Sequence, residues 1–533
     1  MKQSQAAMDL TRGRPLPQIL RFSLPLVGGM VLQQMYSFVD TVLVGRLIGA
    51  DTLAAVGATY LLHFLVLGFV QGGCVGFGIP LAQSIGAKEP DEFKRRFWNG
   101  AWLCLALGTA LTALALALAA PLLQLVGTPA DIFADARTYI LIMFAGIPAA
   151  MLYNFASSAL RAAGDSRHPF YFLAFSSVLN IFLDWLFIAP FGWGVAGAAW
   201  ATVLSQLVSG LLDLYWIAGK TDLLRGSAGP RGPSAARLRR LCLVGLPMGF
   251  EYSVSAIGAV VLQGAINSFG SVAVAGQTAG EKIRQVFTLP MESVGMGVAT
   301  YAGQNDGAGR YDRIRQGLRA GLTIQWTYCA AAWVVLFFGK GAFTALVLGA
   351  GETQAAAYSV QYLSIISVLF CLHGALMVFR NTLQGMGYSL HAVLSGVGEL
   401  AGRAVGSALA VASLGFASLG FAGICLANPI AWGLALGYCV VMVRHYLRRR
   451  EAARAAFQLT FPSYCKKRRG GGRLPASSSL FTTQTLRAAL QAQCPRPAGA
   501  PAAKCPDHLL LSGQSPPRRR PAPAARGQPR RSL

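Results

Sequence analysis

Charged residues are scarce in this chain of 533 residues, at 13%, whereas hydrophobic residues make up 54%. A soluble domain carries roughly 25% charged residues, so the chain lacks the polar surface of a water-soluble protein. A membrane helix takes about 20 apolar residues, and twelve such stretches precede residue 444. Helices satisfy their backbone hydrogen bonds internally within a bilayer, so we predict an all-α membrane protein with twelve transmembrane helices.

Patterns typical of metal sites and enzymes are also missing. The ten cysteines are isolated, and they form neither Cys-x-x-Cys nor Cys/His metal spacings. His-Glu-x-x-His, Gly-x-Ser-x-Gly and Asp-Asp-x-x-Asp motifs do not occur. The sequence therefore supports neither a disulfide framework nor a zinc site. We expect a protein that is not an enzyme and has no cofactor.

The net charge of +25 is concentrated in residues 444–533, which hold 19 Lys/Arg and two acidic residues. This Arg/Pro/Ala/Gly-rich segment cannot bury enough apolar surface to fold, so we predict a disordered tail. Basic residues mark cytoplasmic segments, and the connections on the opposite side carry only Arg46, Arg137 and Lys340. We expect both termini in the cytoplasm, a multi-pass inner (plasma) membrane protein, contact with membrane lipids and no nucleic-acid partner.

The first apolar stretch, residues 16–44, is too long for the apolar region of a signal peptide, and we expect it to be retained as the first span. With it, the chain divides into an N-terminal arm (1–16), an N-lobe (17–218), a linker (219–239), a C-lobe (240–443) and the tail (444–533).

The two lobes repeat each other in sequence. Five motifs recur in the same order: Pro25 and Pro247, 53–57 and 272–276, 83–87 and 304–308, 160–166 and 383–389, and 194–197 and 420–423. Each lobe has six spans, an even number, so both lobes keep the same orientation in the membrane. This predicts two six-helix bundles related by a pseudo-twofold axis along the membrane normal, with a substrate cleft between them.

The run Gln34-Met-Tyr-Ser-Phe-Val-Asp-Thr-Val-Leu-Val-Gly-Arg-Leu-Ile-Gly49, followed by Leu-Ala-Ala-Val-Gly at 53–57, resembles the first-span signature of the multidrug and toxic compound extrusion (MATE) family. Residues 160–165 and 383–387 resemble its paired turns, and the resemblance extends over about residues 15–445. Membership implies a V-shaped pair of six-helix lobes. It also implies secondary active export of amphipathic, often cationic compounds in exchange for H⁺ or Na⁺.

Two of the acidic residues in the apolar spans of the N-lobe share a similar depth. Asp40 and Asp184 are each about five residues from the outer end of a span, and Asn180 and Thr202 lie at a similar depth. Ionisable side chains in a membrane span are costly and mark functional sites. Two close carboxylates in a low dielectric cannot both stay ionised. We therefore predict that this group holds a proton or, with the amide and hydroxyl oxygens, binds Na⁺.

The resemblance assigns the same residues. Prokaryotic MATE proteins carry their N-lobe cation site on residues that match Asp40, Asn180, Asp184 and Thr202, with Asn154 as a neighbour. Pro25 stands where the first helix of the family can bend. The alternative is that these polar side chains are satisfied by each other within an ordinary helix bundle.

The C-lobe differs at the corresponding positions. The repeat places Leu262 opposite Asp40 and Ser407 opposite Asp184, so the acidic pair is expected in the N-lobe alone. Glu251 matches a position at which another MATE branch binds cations, whereas His373 stands where that branch has an aspartate, which weakens a C-lobe sodium site. Both residues are candidates for coupling or for substrate contact.

Other charged residues of the C-lobe form local groups. Glu399 and Arg403 are spaced i,i+4 and can neutralise each other as a structural pair. Glu281, Lys282 and Arg284 lie either on a wet cleft or at a helix end.

Methionine and aromatic side chains can line a cleft for flat cations. Met35, Tyr36, Tyr153 and Phe287 are candidates, and contact with lipid or neighbouring helices is the alternative.

These features favour a proton- or sodium-coupled multidrug exporter of small, drug-like or cationic molecules. A monomer suffices for this architecture. A flippase of a lipid-linked precursor, from the same superfamily, is the alternative function. Such flippases tend to have cationic clefts, whereas this N-lobe carries acids.

Overall fold

The computed structural model describes residues 7–225, 232–349, 351–411 and 419–469, and every regular element in these ranges is helical. The α-helices are α1 Pro15–Leu47, α2 Ala50–Gly86, α3 Pro90–Leu125, α4 Phe133–Ala145, α5 Ile147–Ala162, α6 Arg167–Ile188, α7 Gly194–Tyr215, α8 Ala235–Asn267, α9 Ser271–Gly307, α10 Tyr311–Leu348, α11 Thr353–Val368, α12 Phe370–Gly385, α13 Ser389–Val411 and α14 Phe421–Arg469.

Seven of the described helices are long and apolar enough to cross a membrane, or nine spans if each bent pair counts as one. The bent pairs are α4–α5, at 45°, and α11–α12, at 51°. Pro148 is the second residue of α5 and has no N–H for the preceding turn, which accounts for the first break. The remaining helices α8, α9 and α13 occupy the positions of the predicted seventh, eighth and eleventh spans.

Each lobe has its own apolar core. One buried cluster is built mainly by α2 to α5, and a second by residues from α8 to α14. The first helix of each lobe also packs against the other lobe: α1 lies on α6 and α9, and α8 lies on α13 and α2. These paired contacts agree with the predicted pseudo-twofold relation, because α1 and α8, α2 and α9, and α6 and α13 are equivalent helices.

The two lobes meet most closely where α2 and α9 end. Gln83 Nε2 lies 3.5 Å from the Gly385 carbonyl oxygen of the C-lobe, and Gln304 donates to the Ala162 carbonyl oxygen of the N-lobe at 2.9 Å. A Cβ atom on Gly86 would lie 1.7 Å from the Gln304 carbonyl oxygen, so only glycine fits this crossing. The repeated motifs 83–87 and 304–308 therefore form a reciprocal contact between the lobes.

The N-terminal arm lies across this contact, and we call this end of the molecule the arm end. Met8 N–H donates to the Gly164 carbonyl oxygen at 3.0 Å, and Leu10 N–H donates to Gln304 Oε1 at 3.1 Å. The Asn305 amide donates to the Leu10 carbonyl oxygen at 3.1 Å. The arm thus holds a turn of the N-lobe and the end of α9 together.

The last helix is longer than the sequence indicated. It runs to Arg469, past residue 444, where the disordered tail was predicted to begin. Arg450 donates to the Tyr388 hydroxyl at 3.1 Å, and Arg315 pairs with Glu451 at 2.6 Å. These contacts hold the first turns beyond residue 444 on the C-lobe. Residues 470–533 of the predicted tail lie outside the described residues.

Candidate ion-coupling site

The acidic pair predicted from the sequence is brought together inside the N-lobe. Asp40 on α1 and Asp184 on α6 lie close enough for their carboxyl groups to interact directly. Asp184 is fully buried, at 0% exposure, whereas Asp40 is partly exposed. The hydroxyls of Tyr36 and Tyr139 lie within electrostatic reach of both acids. Helices from three parts of the N-lobe therefore converge on two carboxyl groups.

The polar atoms of this pair have spare binding capacity. Both carboxyl oxygens of Asp184, both amide atoms of Asn180 and Oδ1 of Asp40 have no hydrogen-bond partner among the described residues. Neither acid forms an ion pair there. Buried polar groups are nearly always bonded, and a buried unpaired charge is costly. The group therefore suits a bound proton or cation.

A small cavity of about 30 Å³, enough for a water molecule, lies one helical turn from the pair. Asn180, Thr202, Tyr36 and Tyr153 all line it, so the structure groups four of the predicted residues around one space. Asn154 is placed differently, because its amide donates to the Ala150 carbonyl oxygen of its own helix at 2.9 Å.

Oxygen ligands of the Asp, Asn and Thr type suit hard cations. Among the described residues, no group of three or more His, Cys, Asp or Glu side chains could hold a metal ion. The donors present therefore fit a transported Na⁺ or a proton better than a resident transition metal.

Charged residues on three helices of the C-lobe are paired with each other. Arg380 on α12 contacts Glu251 on α8 at 3.1 Å and Glu399 on α13 at 2.6 Å. Gln384 donates to Glu251 at 2.7 Å. Arg403 contacts Glu399 at 3.3 Å, which bears out the i,i+4 pairing expected from the sequence. Three of these four charged groups lie on different helices, so the network ties the C-lobe together.

Two further predicted positions of the C-lobe also have packing partners. His373 is buried and lies against the Trp432 ring, with ring centroids 4.7 Å apart. Glu281 is bonded by Arg284 and accepts the Tyr362 hydroxyl at 2.5 Å. Glu251 and His373 make no hydrogen bond with each other among the described contacts, although the charge of Arg380 acts on both.

The remaining predicted positions differ in exposure. Met35 is 56% exposed, while Phe287 packs edge-on against Phe343 at 5.9 Å in the C-lobe core. Pro25 lies within α1, which is one continuous helix in this structure. A bend at Pro25 stays a prediction.

Two charged residues were missed by the sequence reasoning. Arg380 is the centre of the C-lobe network, and Asp213 on α7 is fully buried in the N-lobe. Both lie within predicted spans, and the cost of charge in a membrane was the available signal. Both residues lie close to the end of a predicted span, where this cost is a weaker signal.

Comparison with known proteins decides the family. The MatE family model matches residues 25–186 and 247–398, which is more than half of the chain. The probable multidrug resistance protein YpnP of Bacillus subtilis is 32% identical over 392 residues, covering 73% of this chain and 86% of YpnP.

The chain belongs to the MatE family.

Other MatE relatives and structures extend this result. A protein named FAD transporter from Shewanella oneidensis is 24% identical, covering 81% of this chain and 94% of that protein. A solved MOP-superfamily transporter from Pyrococcus furiosus has a TM-score of 0.78 at 23% identity, covering 85% of this chain and all of that chain. The twelve-helix, two-lobe fold and the family resemblance are therefore confirmed. The site residues stay predictions.

Proposed function

We propose that this protein is a secondary active exporter that exchanges amphipathic, often cationic compounds for H⁺ or Na⁺. The supporting observation is the carboxyl pair of Asp40 and Asp184, which is buried in the N-lobe without an ion-pair partner among the described residues. Binding of a proton or cation stabilises such a pair. Without one, two ionised carboxylates repel each other in a low dielectric.

This electrostatics supports an exchange mechanism. The coupling ion and a cationic substrate both favour the negative charge of the same pair, so binding of one weakens binding of the other. The two lobes meet at the arm end, which corresponds to a state closed on that side. Release of the ion on one side and of the substrate on the other then follows from alternating access.

The membrane orientation follows from the distribution of basic residues. The positive-inside rule favours a cytoplasmic arm end, with both termini in the cytoplasm and the protein in the inner (plasma) membrane. A monomer is sufficient, because both lobes and their cores belong to one chain.

The names of the relatives bear on substrate class. YpnP is named a probable multidrug resistance protein, and the Shewanella relative is named for FAD, which is an anion. We favour organic cations for this chain, because the Asp40–Asp184 pair within the N-lobe spans is acidic and has no ion-pair partner among the described residues.

The test is ethidium efflux from proteoliposomes with an imposed pH or Na⁺ gradient. We expect gradient-driven efflux for the unmodified protein and none for Asp40→Asn or Asp184→Asn at equal protein levels. Glu251→Gln is the C-lobe comparison and should retain efflux.

Three results would overturn parts of this proposal. Normal efflux by both aspartate variants would exclude the N-lobe pair as the coupling site. Loss of efflux with Glu251→Gln alone would move the site to the C-lobe. Transport of FAD without any organic cation would exclude the proposed substrate class.

A further inference from the structure

Asp213 is a buried acid that has no role in the exchange mechanism proposed above. It lies on α7, eleven residues beyond Thr202 towards the arm end, and its exposure is 0%. One carboxyl oxygen accepts a hydrogen bond from the Ser157 hydroxyl, and the other has no partner among the described residues. An ionisable group at such a position is a functional candidate, because membrane burial of a carboxyl is costly.

A track of polar side chains lies between the acidic pair and Asp213: the cavity reaches Asn180, one turn from Asp184, and Ser209, one turn from Asp213. The 30 Å³ cavity is lined by side chains that, apart from one leucine, are all polar: Gln33, Tyr36, Tyr153, Leu173, Ser176, Ser177, Asn180, Thr202, Ser205, Gln206 and Ser209. The hydroxyls of Ser205 and Ser209 are buried and have no hydrogen-bond partner among the described residues. On α7, the spacing of Thr202, Ser205, Ser209 and Asp213 places all four on one helix face.

The track continues from Asp213 to the arm end. The charges of Arg161, one turn after Ser157 on α5, and of Asp165 both act on Asp213. Asp165 Oδ2 lies 2.6 Å from His168 Nδ1. Asp165 also lines an open pocket of about 360 Å³ at the arm end, which gives the track access to solvent.

We propose that Asp213 relays protons between the Asp40–Asp184 pair and the arm end, so that the proton is the coupling ion. This rests on the proposed function. A proton leaves the acidic pair for the cavity, is passed along the Ser205 and Ser209 hydroxyls, each of which takes one proton and gives up another, and reaches the free oxygen of Asp213. Asp213 then releases it towards Asp165 and solvent. Each transfer breaks one O–H bond and forms another, and needs no further reactant.

The row of hydroxyls favours a proton over sodium along this track. The cavity of about 30 Å³ has room for a water molecule beside them. A proton crosses such a space by transfer between hydroxyls and water, whereas Na⁺ needs several oxygen ligands at each position along its way. The serine hydroxyls supply the donors and acceptors for the first process.

The test uses the full chain in proteoliposomes with a pH gradient, with ethidium as the transported probe and a trapped pH dye. We expect Asp213→Asn to slow ethidium transport and the accompanying proton movement by about tenfold, with ethidium affinity unchanged. Asp213→Glu keeps the carboxyl and should restore transport with a shifted pH profile. Replacing both Ser205 and Ser209 by Ala should slow transport several-fold.

The matched control is Ser407→Ala, which removes a buried hydroxyl of the C-lobe that also has no partner among the described residues. It should transport normally. A second measurement is independent of substrate: infrared pH-difference spectra should lose one carboxyl band in Asp213→Asn.

The outcomes separate this inference from the proposed function. If Asp40→Asn is inactive while Asp213→Asn and the double serine variant transport at the normal rate, the relay is wrong and the exchange mechanism stands. If Asp40→Asn transports normally, the proposed function itself fails. If Asp213→Asn does not fold, the double serine variant and Asp213→Glu decide, and normal rates and pH profiles in both would overturn the relay.

Discussion

The two lobes share one fold but differ in how several of their acids are partnered. In the N-lobe, Asp40 and Asp184 lie together without a cationic partner among the described residues. In the C-lobe, Glu251 and Glu399 both pair with Arg380, and Glu399 also pairs with Arg403. Removing a buried charge from a pair is strongly destabilising, whereas a buried acid without a partner is already costly in the native state. We infer that the paired charges of the C-lobe stabilise the fold, whereas the unpaired acids of the N-lobe bind an ion.

The repeat makes this contrast sharper. The turns 160–166 and 383–389 are offset by 223 residues, which places Arg403 (403 − 223 = 180) opposite Asn180. The motifs 194–197 and 420–423 are offset by 226, which places Asn428 (428 − 226 = 202) opposite Thr202. Arg403 Nε donates to Asn428 Oδ1 at 3.1 Å. The C-lobe thus has a fixed guanidinium at the position where the N-lobe has its candidate cation site.

The largest expected effect on stability comes from breaking the C-lobe network. Arg380→Leu leaves Glu251 without its arginine and should lower the free energy of unfolding by about 3–5 kcal/mol. Thermal unfolding in detergent measures this. The control is Arg225→Leu, which breaks an exposed pair with Asp222 and should cost at most about 1 kcal/mol. Equal losses for both variants would mean that the network has no special role.

An intermediate effect on stability is expected at the reciprocal contact between the ends of α2 and α9. A Cβ on Gly86 or Gly307 would lie 1.7 or 1.9 Å from a carbonyl oxygen of the opposite helix. Gly86→Ala and Gly307→Ala should each lower the free energy of unfolding by about 1–3 kcal/mol through overpacking. The two losses should be similar. Gly433→Ala, where a Cβ meets nothing within 4 Å, is the control in the same unfolding assay. A loss for one glycine alone would argue against a reciprocal contact.

The smallest effect on stability is expected at the acidic pair. Asp184→Asn removes a buried acid that has no cationic partner, so the free energy of unfolding should fall by less than about 1 kcal/mol or rise. Glu399→Gln, which removes the shared partner of Arg380 and Arg403, should lower it clearly. Comparable losses for the two variants would make Asp184 a structural residue.

The sequence predicted the broad fold because apolar length and repeated turns are local signals. The motifs 83–87 and 304–308 were recognised as a repeat, but their contact with each other was not predicted. The sequence also predicted that Asp40, Asn180, Asp184 and Thr202 form a group, since their depth can be counted from the ends of spans. The pairing of Glu251 with Arg380 could not be predicted, because it depends on how α8 and α12 pack. The extension of α14 beyond residue 444 was missed, because its contacts with Tyr388 and Arg315 are not visible in local composition.

The most direct test of the central claim is whether substrate binding displaces an ion from the N-lobe pair. Ethidium is added to the purified protein in weakly buffered solution, and released protons are measured by pH dye and displaced sodium by radioactive Na⁺. We predict that the unmodified protein and Glu251→Gln release an ion, and that Asp40→Asn and Asp184→Asn release none. Unchanged release from the two aspartate variants would contradict the account.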